Sequence, residues 1–448
     1  MAPRSLPVST LYIPYLSAAP DRYTGIAIAN PSETPATVRA SGRDAQGALL
    51  WSQDAVVPSD FALAGKAQAA RLEREIFNLP VDARLSGSVT LESDSPDLQA
   101  FFLAGDPAKT FLDGAEAFTR GFKRLYFVEV LQNADTTTEI HLMNTKDVPV
   151  AVDLTLADQH GYVLGRPIQR TIPARGKIGE PVSSLFGFTG ALGSAHVIAA
   201  ASDDALAGFG LIRQANAIFG LNAQTADDAG PVLYSPQLAI GDLGLHFDTR
   251  LNILNVGGAG TTATVALLGE DGSPLGPSKP VSIEAGGHFS ADASSLFALA
   301  HGQGYIRISA AGGKLLGNVV FGDGDPASSR LGFAAALPLS GSGSRSFLFA
   351  HIAQGAGYYT GVAFLAPNGA KLTIDAYDAG GIMIGSAAHD LAPGQRLVSL
   401  LQGLIPDTAG QVGGYVKVVS DQPVIGFELF GTADGQLLSA VPPQRLLR

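Results

Sequence analysis

Four tyrosines at the starts of the first and last quarters of the chain are the residues most suited to bind a ligand. Tyr15 and Tyr23 fall in the first quarter, and Tyr358 and Tyr359 fall in the last. Flat aromatic rings stack on sugars and pack against protein partners. If Tyr358 and Tyr359 lie in one strand, their rings point to opposite faces, so one ring is exposed. We predict contact with a protein partner or a glycan at these residues, with core packing as the alternative for part of the set.

Acidic residues recur in four short turns, where they could bind a cation or simply reverse the chain. The turns are Asp44-Ala45-Gln46-Gly47, Asp158-Gln159-His160-Gly161, Glu270-Asp271-Gly272 and Asp378-Ala379-Gly380. Calcium takes roughly six to eight oxygen ligands, and one carboxylate per turn falls short of that number. Asp followed closely by Gly supplies the positive φ of a hairpin, so we predict turns. Asp323 and Asp325 form the densest oxygen cluster on a loop, and the sequence leaves open whether they bind a cation.

The usual signatures of catalytic and cofactor sites do not occur in this sequence. It has no Gly-x-Ser-x-Gly nucleophile elbow, no Gly-x-Gly-x-x-Gly and no Gly-Lys-Ser/Thr phosphate loop. The histidines lie singly, without the spacing that places two metal ligands on one helix face. Cysteine is absent, so no thiolate ligand or thiol nucleophile exists. We predict no cofactor, no metal and no enzymatic activity, and catalysis between repeats is the last of the alternatives.

One pattern of strands and turns is repeated four times and positions all of these residues. Each copy opens with an apolar strand that contains an aromatic residue: Leu11-Tyr12-Ile13-Pro14, Leu125-Tyr126-Phe127-Val128, Leu233-Tyr234-Ser235-Pro236 and Leu348-Phe349-Ala350-His351. From Tyr12 to Tyr126 is 114 positions, and from Tyr126 to Tyr234 is 108. A spacing this regular is typical of an internal repeat.

Each copy of the repeat contains seven or eight short strands, which predicts an all-β fold of four tandem antiparallel β-sandwich domains of about 110 residues. The predicted domain limits are 1–120, 121–229, 230–340 and 345–448. The last copy closes with two strands in Gly414–Gly431. In these strands we expect Val416, Val418, Phe427 and Leu429 to line one buried side, because they alternate with polar residues.

Four motifs of the last repeat carry a resemblance to a known family. They are Thr-Gly-Val-Ala-Phe-Leu at 360–365, Asp-Ala-Gly-Gly at 378–381, Leu-Ala-Pro-Gly at 391–394 and Gly-Tyr-Val-Lys-Val-Val-Ser-Asp-Gln-Pro-Val-Ile-Gly-Phe at 414–427. With them the chain resembles the tandem immunoglobulin-like β-sandwich repeats of bacterial secreted and cell-surface proteins, over essentially its whole length. The likeness is to the sandwich shape only, because a Cys pair is absent and Trp51 stands alone. It implies an exported scaffold for adhesion or assembly, and no catalytic or binding residues.

The charge balance excludes one class of partner. The net charge is −11 and is spread through the chain, whereas nucleic-acid binding needs a basic stripe. No apolar run reaches the roughly 18 residues of a membrane span, and Met1-Ala2-Pro3-Arg4 lacks the apolar region of a signal peptide. Together with the resemblance, we expect an extracellular or cell-surface protein whose signal peptide is absent from this sequence.

These expectations combine into one functional hypothesis and one alternative. We predict a non-enzymatic exported structural or interaction protein, a semi-rigid rod of roughly 140–160 Å that meets protein partners or assembles with itself on the cell surface. The alternative is a carbohydrate-binding accessory protein that uses the exposed tyrosines.

Overall fold

Strands make up most of the chain in the computed structural model, which describes residues 8–50, 59–323, 332–432 and 434–446. Strand residues account for 60% and helix residues for 6%, and the strands pair antiparallel. The predicted all-β class is therefore confirmed. Trp51, Asp325 and the first four residues, which entered the sequence predictions, lie outside the described residues.

The strands, numbered in chain order, fall into four groups that we call units 1 to 4. Unit 1 contains β1 (Ser9–Ala18), β2 (Tyr23–Ala29), β3 (Ala36–Arg43), β4 (Ser59–Leu63), β5 (Gln68–Leu72), β6 (Leu85–Ser93), β7 (Gln99–Gly105) and β8 (Leu112–Glu116). Unit 2 contains β9 (Arg124–Gln132), β10 (Thr136–Asn144), β11 (Val150–Asp158), β12 (Ile168–Ile172), β13 (Lys177–Pro181), β14 (Leu192–Ala201), β15 (Leu206–Gln214) and β16 (Ala217–Asn222).

Units 3 and 4 follow with the same succession of elements. Unit 3 contains β17 (Val232–Asp242), β18 (His246–Asn255), β19 (Thr261–Leu268), β20 (Lys279–Ile283), β21 (His288–Asp292), β22 (Gly302–Ser309), β23 (Leu315–Asp323) and β24 (Ala334–Pro338). Unit 4 contains β25 (Ser344–Phe349), β26 (Tyr358–Ala366), β27 (Ala370–Tyr377), β28 (Met383–Leu391), β29 (Gln395–Leu400), β30 (Tyr415–Thr432), β31 (Leu438–Val441) and β32 (Gln444–Arg445). The helices are short: α1 (Glu73–Ile76), α2 (Val182–Phe186), α3 (Ala293–Phe297) and α4 (Leu401–Leu404), with 3₁₀ turns at Ala226–Asp228 and Pro406–Thr408.

One strand order recurs in every unit. Unit 1 has a sheet of order β1-β6-β3-β4 and a second of order β5-β2-β7-β8, and unit 2 repeats these orders as β9-β14-β11-β12 and β13-β10-β15-β16. Unit 3 joins the corresponding sheets through a pairing of β17 with β18. In unit 4 the long strand β30 belongs to both sheets, because its first half pairs with β27 and its second half with β26.

The two sheets of each unit pack face to face through alternating apolar residues. In β27, for example, Leu372 and Ile374 are buried while Lys371 is exposed, as the two-residue period of a strand requires. In unit 1, Ile13 of the first sheet and Ile28 of the second belong to one buried cluster. Burial of such a side chain stabilises the fold by about 1.5–3 kcal/mol, so these residues hold the sheets together.

A buried threonine near the start of the second strand repeats in all four units. Thr24, Thr138, Thr249 and Thr360 are fully buried. Thr24 Oγ1 accepts the N–H of Ser17 at 2.9 Å and donates to the Ser17 carbonyl at 3.1 Å. Buried hydroxyls need hydrogen-bond partners, and this exchange links β1 of one sheet to β2 of the other.

The expected buried side of the last two strands is wrong in part. Val416 and Val418 lie in the core of unit 4, but Phe427 packs in a cluster with Phe321 of unit 3, and Leu429 is only half-buried. The reason is that the second sheet of a unit is covered on both faces, by its own first sheet and by the neighbouring unit. Apolar residues then occur on both faces, and alternation alone does not tell which face is the core.

The four units close into a ring, which corrects the expected rod. Strand β8 lies against β16 and β31, and β24 lies against the same two strands, so these four strands contact one another in a closed cycle. Unit 4 therefore touches unit 1, although the two units are at opposite ends of the chain. Closure covers apolar residues such as Phe209 and Phe427, which face a neighbouring unit instead of water.

Candidate functional site

Each acidic turn predicted from the sequence docks on the next unit around the ring. A backbone carbonyl of the turn accepts the N–H of a residue at the start of the fifth strand of the next unit, and we call this hydrogen bond the latch. The four latches join Lys177 N to Ala45 O (3.0 Å), His288 N to Gln159 O (2.8 Å), Arg396 N to Glu270 O (2.8 Å) and Gln68 N to Ala379 O (3.0 Å). They define junctions 1–2, 2–3, 3–4 and 4–1, named by the units that they join.

The aspartates of these turns serve the turns themselves, as predicted, whereas Glu270 pairs with Arg396 of the next unit. Asp44 Oδ1 accepts the N–H of Ala48 at 2.9 Å, and Asp158 Oδ1 accepts the N–H of Tyr162 at 2.9 Å. In the described parts of the chain, no group of three or more histidine or acidic residues is arranged to hold a metal ion. Asp323 accepts the N–H of Gly332 at 3.1 Å, and Asp325, the other residue of the predicted oxygen cluster, lies outside the described residues.

Glycine is required in these turns for two separate reasons. Gly47 has φ +83° and Gly161 has φ +82°, a backbone region that favours glycine. A Cβ on Gly47 would also lie 2.0 Å from the carbonyl oxygen of Ala174, and one on Gly161 would lie 2.6 Å from that of Ala285. Both carbonyls belong to the next unit, so the glycines allow the backbones of two units to approach closely.

At three junctions the side chain of the latch residue also donates a hydrogen bond to a backbone carbonyl of the preceding unit. Lys177 Nζ donates to the Pro14 carbonyl at 3.0 Å, Gln68 Nε2 donates to the Ala350 carbonyl at 2.9 Å, and Arg396 Nε donates to the Pro236 carbonyl at 2.6 Å. At junction 3–4, Arg396 also pairs with Glu270 at 2.6 Å. These carbonyls lie in the first strand of a unit or directly after it, so the contact repeats around the ring even though the donor groups differ.

Junctions 1–2 and 4–1 each bury a histidine. Lys177 Nζ lies 3.1 Å from His141 Nδ1 and also donates to the Gly87 carbonyl at 2.8 Å. Burial lowers the pKa of Lys177 to about 7, and burial together with the nearby Lys177 lowers the pKa of His141 to about 4. At junction 4–1, Gln68 Nε2 lies 3.2 Å from His351 Nδ1, and burial lowers the pKa of His351 to about 4. Both imidazoles are therefore neutral at pH 7.

Junction 2–3 contains a buried group of charged and amide side chains. Glu129 of unit 2 pairs with Arg250 of unit 3 at 2.5 Å and accepts the amides of Asn252 and Asn318 at 3.0 and 3.1 Å. Beside this group lies a cavity of about 20 Å³, lined by Glu129, Asn318 and Asn222 among others. A cavity of this size has room for about one water molecule. The junction therefore joins two units through charged and amide groups as well as through apolar contacts, such as that of Val128 of unit 2 with Leu254 of unit 3.

The four predicted tyrosines do not form one site, because Tyr15 lies apart from the other three. Tyr15 is only 3% exposed and packs against Phe102 of its own unit and against His141 and Phe209 of unit 2, so its ring is not available for stacking on a ligand. Burial raises the pKa of Tyr15 above its usual value. Tyr15 is thus a junction residue, and the prediction that it contacts a partner or glycan is wrong for a physical reason: the ring has a neighbouring unit against it.

The other three tyrosines are half-buried near the boundary of units 1 and 4. The space next to Gly105 is filled by the ring of Tyr23 on the paired strand, and the space next to Gly431 is filled by the ring of Tyr359. Lys109 Nζ lies 5.3 Å from the centre of the Tyr358 ring, within cation–π range. Burial raises the pKa of Tyr23 to about 12, and nearby Tyr358 adds to the shift. Tyr23 and Tyr358 are therefore neighbours across junction 4–1.

The sequence predictions did not include the residues that donate the latch hydrogen bonds. Gln68, Lys177, His288 and Arg396 occupy one position of the repeat but have four different side chains. A search for a shared residue type does not find such a position. The signal in the sequence was that Lys177 and Arg396 are charged in a chain with only 15% charged residues. In the structure both side chains are almost fully buried.

Comparisons with known proteins give no family for this chain. No family model matches it, and no curated protein matches it. Among solved structures, the crystal structure of Thermotoga maritima 1070 is similar over 25% of this chain and 94% of that chain, at 14% identity and a TM-score of 0.20. The structure of glycoside hydrolase family 32 from Bifidobacterium adolescentis is similar over 97% of this chain and 95% of its own, at 9% identity and a TM-score of 0.15. Similarity at these TM-scores supports no statement about activity.

Within the described residues, no helix has the length and apolar character to cross a bilayer.

Proposed function

We propose that this chain is a non-enzymatic, exported structural or interaction protein that acts as a rigid platform at the cell surface. The set of four latches carries the proposal, because it fixes four units of the same strand order into one closed body. A pre-organised body keeps its surface groups at constant separations, which lowers the entropic cost of binding a partner. Polar groups that could serve catalysis, such as Lys177 and Glu129, are buried in junctions and hydrogen-bonded there, which also supports a structural role.

We infer that each unit is an immunoglobulin-like antiparallel sandwich domain of about 110 residues. The recurring strand order and the buried threonine support this inference. The domain limits that we propose are those predicted from the sequence, 1–120, 121–229, 230–340 and 345–448.

Two measurements on the whole protein test this function. A membrane-impermeant amine-reactive label applied to intact source cells should modify the protein, and sedimentation velocity should show larger species as the protein concentration rises or when a surface extract is added. Protection from the label in intact cells, together with a single species under all conditions, would contradict the proposal. Turnover of a small substrate by the purified protein would contradict its non-enzymatic part.

A second candidate, a carbohydrate-binding accessory protein, is favoured by the positions of Tyr23 and Tyr359. Each ring lies across a glycine of the paired strand, an arrangement that holds a ring flat on a sheet. A glycan array should then give signal with the wild type and none with the double variant Tyr23→Ala, Tyr359→Ala. Tyr162→Ala is the matched control, because Tyr162 is exposed on unit 2. Equal signal from all three proteins would reject carbohydrate binding at these rings.

A further inference from the structure

Two histidines from different units meet at junction 2–3. His196 lies on β14 of unit 2 and His288 lies on β21 of unit 3, with 6.4 Å between their ring centres. Both residues are buried, with 1% and 5% exposure. Ser194 Oγ and His288 Nδ1 are hydrogen-bonded at 2.5 Å. Among the described residues, His196 Nδ1 and His288 Nε2 have no hydrogen-bond partner.

The charges around this pair oppose a further positive charge at His288. Arg250 on β18 lowers the pKa of His288, as does His196, although burial is the largest cause and the value falls to about 3. Burial lowers the pKa of His196 to about 4, and the charge of Asp158 on β11 acts in the other direction. Glu129 on β9, the carboxylate at this junction, is already paired with Arg250.

Two other carboxylates near the junction do not offset this charge. Burial raises the pKa of Asp292 on β21, with Asp248 adding to the shift, so this group resists ionisation. On the surface, His160 lies 3.2 Å from Glu284, and charging His160 would strengthen that pair slightly. Exposed pairs of this kind are worth little, so the buried pair decides the response of the junction to acid.

We propose that junction 2–3 is an acid-sensitive seam, at which protonation of His196 and His288 separates units 2 and 3 and opens the ring. A charged imidazole is costly in a buried site unless it is paired, and these two have each other and Arg250 as neighbours. Among the described residues, the latch and side-chain contacts of junction 3–4 include no histidine. This junction is joined by Arg396 and Glu270, so it should stay closed at mildly acidic pH.

The lowered pKa values of His196 and His288 determine how the stability of the closed ring changes with pH. Histidines that bind protons less readily in the closed ring than in the open one stabilise the closed ring above a pH of about 6.5, and this stabilisation is lost as the pH falls toward about 4. Asp113 at the centre of the ring acts in the opposite direction, because burial raises its pKa. Asp113 contacts units 2 and 4 from unit 1, so it opposes acid opening at junctions 1–2 and 4–1, not at junction 2–3.

Hydrogen exchange of the four latch amides in the full-length protein tests this proposal. Between about pH 7.5 and pH 5, after correction for intrinsic exchange, the protection of the His288 amide should fall about ten-fold or more relative to the Arg396 amide. The double variant His196→Gln, His288→Gln should lose this difference, while His301→Gln, an exposed histidine of unit 3, should keep it. If the double variant does not fold, the comparison of the His288 and Arg396 amides in the wild-type protein still tests the proposal. Equal responses of the His288 and Arg396 amides would overturn the proposal.

Discussion

Asp113 accepts a hydrogen bond from the Ser439 hydroxyl at 3.0 Å, although 326 positions separate the two residues. Its other oxygen accepts the N–H of Gly220 at 2.8 Å. One carboxyl group thus joins β8 of unit 1, β16 of unit 2 and β31 of unit 4 at the centre of the ring. Burial raises the pKa of Asp113 to about 8, although the hydrogen bonds act in the other direction. The group is largely uncharged at pH 7.

Removing this carboxyl should weaken the ring as a whole. Asp113→Ala leaves the N–H groups of Gly220 and Ala440 without their buried acceptor, which should lower the free energy of unfolding by about 3 kcal/mol. Chemical denaturation at pH 7 measures this loss. Asp203→Ala is the control, because Asp203 is exposed and should change stability by less than about 0.5 kcal/mol. Equal effects of the two substitutions would show that Asp113 does not link the units.

The penalty of Asp113→Ala should also depend on pH. Because the pKa of Asp113 is higher in the folded state than in the unfolded chain, its contribution is fully present below about pH 3.8 and is lost as the pH rises through about 8. The stability difference between wild type and Asp113→Ala should therefore shrink by about 4 kcal/mol between pH 5 and pH 8.5. Thermal melts of both proteins across this range provide the measurement. A difference that grows with pH would mean that the carboxyl is ionised in the folded ring.

The strand pattern and the turns could be predicted from the sequence, whereas the ring could not. The alternation of apolar residues such as Leu372 and Ile374 with polar ones predicts the strands. Asp44 and its counterparts, each followed closely by glycine, predict the turns. The ring depends on residues such as Phe427, which is as apolar as a core residue but faces another unit. It also depends on backbone hydrogen bonds such as that from Lys177 N to Ala45 O, which leave no trace in side-chain type. Tyr15 was predicted as a contact residue because the sequence does not show that unit 2 packs against its ring.

Close backbone approach at a latch can be tested with two glycines of unit 2. Gly161 and Gly165 have φ of +82° and +76°, but a Cβ would meet the Ala285 carbonyl only at Gly161, and nothing within 4 Å at Gly165. Gly165→Ala should cost about 1 kcal/mol from backbone strain alone. Gly161→Ala should cost about 1–3 kcal/mol more, since the added methyl forces two units apart. Denaturant titrations compare the two variants, and equal losses would mean that the turn does not dock on unit 3.

Phe427 offers a test of coupling between units 3 and 4. Phe427→Ala should lower the free energy of unfolding by about 3–5 kcal/mol, because the ring is buried and packs on Phe321 with their centres 6.3 Å apart. Hydrogen exchange should show that protection falls in both units, not in unit 4 alone. Val412→Ala, at a 62% exposed position of unit 4, is the control and should be nearly neutral. Loss confined to unit 4 would argue that Phe427 belongs to the core of its own unit.

Small-angle X-ray scattering of the dilute full-length protein tests ring closure most directly. A compact body of 448 residues should have a radius of gyration of about 22 Å. Four units in a straight row of roughly 150 Å would instead give a radius of gyration of about 40 Å or more. A value close to 22 Å agrees with units 1 and 4 in contact, and a value near 40 Å would contradict the closed ring.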